Sequence, residues 1–110
     1  MKSLQEEQGP VDLRIVNELV DLTPEHWHSA VLEIQHALVS DGKESLRLSI
    51  KSPEGEREFL EPTETLFDAA RELVALTNRY GHHLRRATYI TEMTTDGDWD
   101  FTAKYEYREE

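Results

Sequence analysis

Asp96, Asp98 and Asp100 alternate through the stretch TTDGDWDFTAKYEY, residues 94–107, as the first ligands of a calcium loop do. Such a loop takes ligands from its first, third and fifth positions, a glycine at the sixth and a bidentate Glu at the twelfth. Counted from Asp96, the sixth position is Phe101, Gly97 falls at the second, and the twelfth is Tyr107. Flanking helical patterns are missing as well, so the spacing argues against calcium. His26 and His28 are two apart, as metal ligands on a strand can be. His36, His82 and His83 follow in no pattern that completes the set of about four ligands zinc prefers. The chain has no cysteine, which removes thiolate sites and disulfides together. The expectation is therefore no metal and no cofactor. Catalysis finds no better footing: acids are abundant, but there is no nucleophile-elbow pattern and no phosphate-cradling glycine loop. The chain does not read as an enzyme.

The same aspartates also fit a hairpin turn, and residue parity decides between the two. Trp99, Phe101, Ala103, Tyr105 and Tyr107 share one face of the last strand; Ala87, Tyr89, Thr91 and Met93 share one face of the strand before it. The two apolar sets meet only if odd-numbered residues pair with odd ones. A two-residue Asp96-Gly97 loop would put Met93 opposite Asp100. A three-residue loop over 96–98 pairs Met93 with Phe101 and Tyr89 with Tyr105. The pattern predicts a three- or five-residue turn with Gly97 left-handed and the aromatic face in the core. Asp98, Asp100, Thr102, Lys104 and Glu106 then face outward.

The elements that position this hairpin show in the periodicity. Leu13, Val16, Leu19 and Val20, widened by Ile15 and Leu22, predict a helix over about 10–22, with Pro10 in its first turn and Thr23-Pro24 as its end. The period then changes to two: Ala30, Leu32, Ile34, His36 and Leu38 share one strand face, and Leu46, Leu48 and Ile50 mark the next strand after an Asp41-Gly42 turn. The sequence SPEGE turns again, and residues 57–60 read as a short edge strand. Thr63 or Thr65 caps a second helix, whose buried stripe is Leu66, Ala69, Ala70, Leu73, Val74 and Leu76 or Thr77, with Gly81 as its left-handed stop. The cluster Arg79, His82, His83, Arg85 and Arg86 suits a helix C-terminus. Trp27 is expected between the first helix and the sheet. The fold class is α+β: an antiparallel sheet of four to five strands with two helices packed on one face, in the order α-β-β-(β)-α-β-β.

At 110 residues, 37% of them hydrophobic, the chain reads as a single domain over residues 1–110, with 1–9 and 108–110 frayed. No apolar run approaches a membrane span and MKSLQEEQGP has no signal-peptide core, so a cytoplasmic protein is expected. Twelve basic against 23 acidic residues give a net charge of −11, which argues against direct binding of nucleic acid or anionic membrane. The acid lies toward the ends: residues 1–25 carry −4 and residues 92–110 carry −5. This is either a solvated surface or a face made for a basic partner.

The stretch LVDLTPEHWHSAVLEIQ, the segment KSPEGEREF, the helix TLFDAARELVALTNRYG and the closing DGDWDFTAKYEY together resemble the YezG-like immunity (antitoxin) proteins, domain of unknown function 600. The resemblance covers about residues 11–107. It rests on Pro24 shortly before Trp27, and on Gly97, Trp99 or Phe101, Tyr105 and Tyr107 in the last strand. The stretch GHHLRR departs from the pattern, which has an acidic or neutral linker and then a tryptophan there. The resemblance implies a small bacterial protein that binds and neutralises a cognate polymorphic toxin, frequently a nuclease, without catalysis or cofactor. It supplies no site residues. On geometry, the candidate partner-binding residues are Asp96, Asp98, Asp100 and Glu106, with Glu92 beside them. One rival reading is an interaction or adaptor domain without a toxin partner, a homodimer through a sheet edge. Another is a small-molecule-binding domain whose pocket uses Trp27 and the tyrosines.

Overall fold

The computed structural model describes residues 3–38, 42–52 and 59–108. Seven elements follow one another: α1 (Leu4–Leu22), β1 (Ser29–Leu38), β2 (Glu44–Lys51), β3 (Phe59–Leu60), α2 (Glu64–Arg79), β4 (Leu84–Met93) and β5 (Trp99–Tyr107). The strands form one antiparallel sheet in the order β3-β2-β1-β4-β5. The α+β reading, its element order and the edge position of the short third strand hold. Residues 53–58, which hold all of the SPEGE turn but its first residue, lie outside the described residues, as does Asp41; Gly42 beside it has φ 71°.

α1 begins at Leu4, six residues before the expected start, so residues 4–9, placed at the frayed end, form its first turns. The overlooked signal is Ser3-x-x-Glu6, a capping-box spacing: the Ser3 hydroxyl accepts the Glu6 N–H at 3.2 Å. Pro10 therefore lies inside the helix, where its ring removes one backbone bond. Gln8, Val11, Ile15, Val16 and Leu19 are buried along one side and hold the helix through that gap. Leu13, expected in the stripe, is 53% exposed. The other end is as expected: the chain leaves the helix at Thr23, whose hydroxyl donates to the Leu19 carbonyl at 2.7 Å.

α2 follows its sequence closely. Thr63 rather than Thr65 is the cap, accepting the Leu66 N–H at 3.2 Å and donating to Glu18 of α1 at 2.9 Å. Leu66, Ala69, Ala70, Leu73, Val74, Leu76 and Thr77 are all buried. Gly81, at φ 79°, closes the helix: its N–H donates to the Asn78 carbonyl and the His82 N–H to the Thr77 carbonyl, the pair of bonds of a Schellman motif.

Both helices pack on one face of the sheet. Ala30, Leu32, Ile34, His36, Ile50, Ala87, Tyr89 and Thr91 point into that core, while Leu38, at the end of the β1 stripe, is 61% exposed. β1 is central, pairing Leu32 with Ile50 on one side and with Tyr89 on the other. β4 carries a bulge: Leu84 pairs with Tyr107 but Arg86 with Glu106, so the register slips by one. Leu84 and Ala87 consequently both reach the core, which strict alternation forbids. The C-terminal end is tied down through Arg108, counted among the frayed residues. Its N–H donates to the His83 carbonyl at 2.8 Å, and its guanidinium to the His36 carbonyl at 2.5 Å.

Candidate partner-binding site

The β4–β5 turn is closed by three hydrogen bonds. The Thr94 N–H donates to the Asp98 carbonyl at 2.7 Å, the Gly97 N–H to the Thr94 carbonyl at 3.0 Å, and the Asp98 N–H to the Thr94 hydroxyl at 3.2 Å. Residues 95–97 are thus a three-residue loop with Gly97 at φ 87°, the glycine-bulge hairpin closure. Between the strand ends the connection is five residues, 94–98. Odd residues pair with odd, as parity requires, but the register lies two residues from the pairing expected for a loop over 96–98. Met93 stands opposite Trp99 rather than Phe101, and Tyr89 opposite Ala103 rather than Tyr105. The bonded loop begins one residue earlier than expected because the Thr94 hydroxyl and backbone close it.

The five candidate acids are all exposed, and the structure divides them. Glu92 and Asp100 sit directly opposite each other across the ladder, two like charges on the outer face. Asp96 and Asp98 lie in the adjoining turn. Among the described residues none of these four has an ion pair. Glu106 stands apart, toward the other end of β5, opposite Arg86; its carboxylate is 3.4 Å from Arg86 Nη1, while Arg86 Nε lies 3.6 Å from Glu33. The unpaired acidic group is therefore Glu92, Asp96, Asp98 and Asp100, without Glu106.

The opposite side of β5 corrects the expectation that its aromatics are core. Tyr105 and Tyr107 do pack against the core, but Trp99 is only partly buried and Phe101 is 40% exposed. Asp12 of α1 anchors the tyrosines of this face: its two carboxylate oxygens accept the hydroxyls of Tyr89 (2.6 Å) and Tyr105 (2.7 Å). Ala103, next along the same face toward the turn, still packs against the core; Phe101 beyond it is exposed. Trp99 and Phe101 thereby join the site, and alternation alone could not have separated them from the buried tyrosines. Burial and the Asp12 carboxylate push the ionisation of Tyr89 and Tyr105 well above the ordinary tyrosine value.

The remaining candidates are accounted for in the fold. Trp27 is a core residue, 1% exposed, and no hydrogen-bond partner reaches its Nε1 among the described residues. His36 is buried: its Nδ1 is 3.1 Å from the Arg108 guanidinium and 3.3 Å from the Leu84 carbonyl, and its Nε2 is 3.6 Å from Glu44. A cleft of about 290 Å³ beside it is lined by His36, Glu44, Leu46, Arg71, Val74 and Asn78 rather than by Trp27 and the tyrosines. The basic cluster is dispersed: Arg79 ends α2, Arg86 faces Glu33 and Glu106, and the His82 ring packs 5.3 Å from Tyr107. No described helix is long and apolar enough to cross a membrane. No protein-family model matches the sequence, and no curated protein matches it significantly.

Proposed function

We propose that this chain is a non-catalytic immunity protein, acting in the cytoplasm, that binds a basic protein toxin through the tip of the β4–β5 hairpin and covers its working surface. The observation that carries this reading is the juxtaposition at that tip. Four acids without an ion pair among the described residues surround a strand that also leaves Phe101 and part of Trp99 open to solvent. Aromatic anchors inside a charged rim are the usual composition of a protein interface. A like-charged pair such as Glu92 and Asp100 works against the free protein and is relieved by an incoming cation. A toxin that cleaves nucleic acid is basic around its phosphate-binding cleft, and a protein of charge −11 associates with such a surface quickly. The resemblance to YezG-like proteins supports the same reading.

The test is capture of the product of the adjacent gene, followed by rescue from its toxicity on co-expression. Replacing Asp96, Asp98 and Asp100 together by lysine is expected to slow association at least about tenfold and to flatten its dependence on salt. Absence of both capture and rescue would reject the toxin partner. Capture that is indifferent to the triple replacement would reject the hairpin as the surface.

A further inference from the structure

β5 is an edge strand, and its sequence is complementary to itself. Since β5 ends the sheet order, one side of its backbone is open. Asp98 and Arg108 bond to the β4 side, so even-numbered residues direct their N–H and C=O groups inward. Trp99, Phe101, Ala103 and Tyr105 therefore direct theirs to the open edge. Natural edges are ordinarily blunted by proline, bulges or charge. Between Trp99 and Glu106, β5 has no proline and no bulge, and Lys104 is its sole cation.

We propose that this edge pairs with β5 of a second copy, antiparallel, about a two-fold axis through Thr102. In that register Asp100 of each copy faces Lys104 of the other, on the exposed outer side of the sheet. On the inner side Phe101, the large exposed side chain, lies beside the small Ala103, and Trp99 lies beside Tyr105. The charged pair is opposite in sign, Phe101 meets a small partner, and Trp99 and Tyr105 stack as two aromatics. Moving the axis to Ala103 would set Asp100 against Glu106 instead. The ladder stops naturally at residue 99, because the next pair outward sets Asp98 against Glu106.

The axis stands normal to the sheet, so the helical layers of the two copies lie on the same side. On α1, Arg14 and Glu18 hold the flank that meets α2, through Glu72 and Thr63. By helical spacing Leu13 falls on the opposite flank with Val16 and Val20, toward β5. The exposed side chains Leu13 and Phe101 thus border the same open edge, and the second copy gives both an apolar neighbour. This inference does not depend on a toxin partner. Because the second copy covers Phe101 and pairs Asp100, a toxin at the hairpin tip competes with dimerisation, and Glu92, Asp96 and Asp98 stay outside the dimer ladder.

The chain's lack of cysteine makes a register test clean. Across an antiparallel ladder a non-hydrogen-bonded pair brings Cα atoms to about 4.5 Å, within disulfide range. Thr102→Cys is expected to give a disulfide-linked dimer under mild oxidation, while Lys104→Cys and Asp100→Cys, each distant from its own copy, stay monomeric on denaturing gels. By sedimentation, Asp100→Lys or Lys104→Asp weakens dimerisation about tenfold, because two symmetric pairs become repulsive. The double exchange restores it. All three positions altered or probed lie on the outer face, and circular dichroism confirms folding. A sedimenting monomer at every concentration overturns the proposal and leaves the edge for a foreign strand. Cross-linking through 100 or 104 instead of 102 overturns the register.

Discussion

Asp12 ties α1 to two strands at once, and the tie depends on one carboxylate. Both its oxygens accept tyrosine hydroxyls, from fully buried Tyr89 and half-buried Tyr105. Asp12→Ala leaves two donors without their acceptor, one of them out of reach of water. The expected cost is about 2–3 kcal/mol in urea unfolding, since bonds to charged groups are the stronger kind. Tyr105→Phe is expected to cost less, because Asp12 keeps Tyr89. The same geometry sets an alkaline limit. All four tyrosines are held above the ordinary value of 10.0, Tyr89, Tyr105 and Tyr107 mainly by burial and Tyr80 mainly by its hydrogen bond to Glu7. Below that value folded and unfolded chains both keep their tyrosine protons, so the tyrosines add no pH dependence to stability. Above it the unfolded chain ionises first, unfolding releases protons, and stability falls as pH rises. For Tyr89 the slope is about 1.4 kcal/mol per pH unit. In a titration followed by phenolate absorbance, the part belonging to Tyr89 and Tyr105 is expected to be missing from the ordinary tyrosine range and to rise together with loss of helical circular dichroism. A simple curve centred at the ordinary value would contradict the burial.

At the scale of elements, Gly97 and Ser3 decide where β5 and α1 begin. Gly97 holds φ 87°, and a β-carbon built there meets no atom within 4 Å. Gly97→Ala is therefore a test of backbone conformation alone, with an expected cost of about 1–2 kcal/mol. Gly97→Asn is expected to recover most of that loss, because asparagine tolerates the left-handed region. Ser3→Ala removes the cap of α1 and is expected to cost about 1 kcal/mol in the same unfolding measurement. These two residues also mark how far the elements were legible. Gly97 was readable because a turn between two alternating strands has one parity that keeps both apolar faces together. The stripe of α2 was readable for a like reason: its buried residues keep helical spacing from Leu66 to Thr77. The start of α1 was hidden because Pro10 offered a plausible first turn while polar residues precede it. The β4 bulge left no local signal: only packing shows that Leu84 and Ala87 share a face. The acids of the hairpin were legible as outward-facing, but the engagement of Glu106 with Arg86 depends on a register no single strand encodes. Nor could alternation show that the cover over β5 ends after Ala103, leaving Phe101 exposed.

Across the whole molecule, most of the charge of −11 lies toward the two ends of the sequence, −4 in residues 1–25 and −5 in residues 92–110. Glu6 and Glu7 open α1 beside Tyr80, which donates to Glu7, near the end of the sheet where Tyr105 reaches Asp12. The hairpin tip lies at the far end of β5, where the Met93 N–H meets the His28 carbonyl. At strand rise, β5 separates the two groups by roughly 25–30 Å, several screening lengths at physiological salt. The groups therefore repel within themselves more than they repel each other, and the hairpin is the place to relieve the strain. Glu92→Lys turns the cross-strand pair with Asp100 from like to opposite charge and is expected to raise stability by about 0.5–1 kcal/mol. Raising salt stabilises the native protein by screening the same repulsion, so the gain of the variant should shrink as salt increases. If the tip serves a basic partner, that replacement also slows association, and the variant becomes more stable and less effective together. A solvated face without a partner gives the stability gain alone. Measuring unfolding and rescue on the same variant separates the two, because only a binding surface makes the stabilising substitution costly.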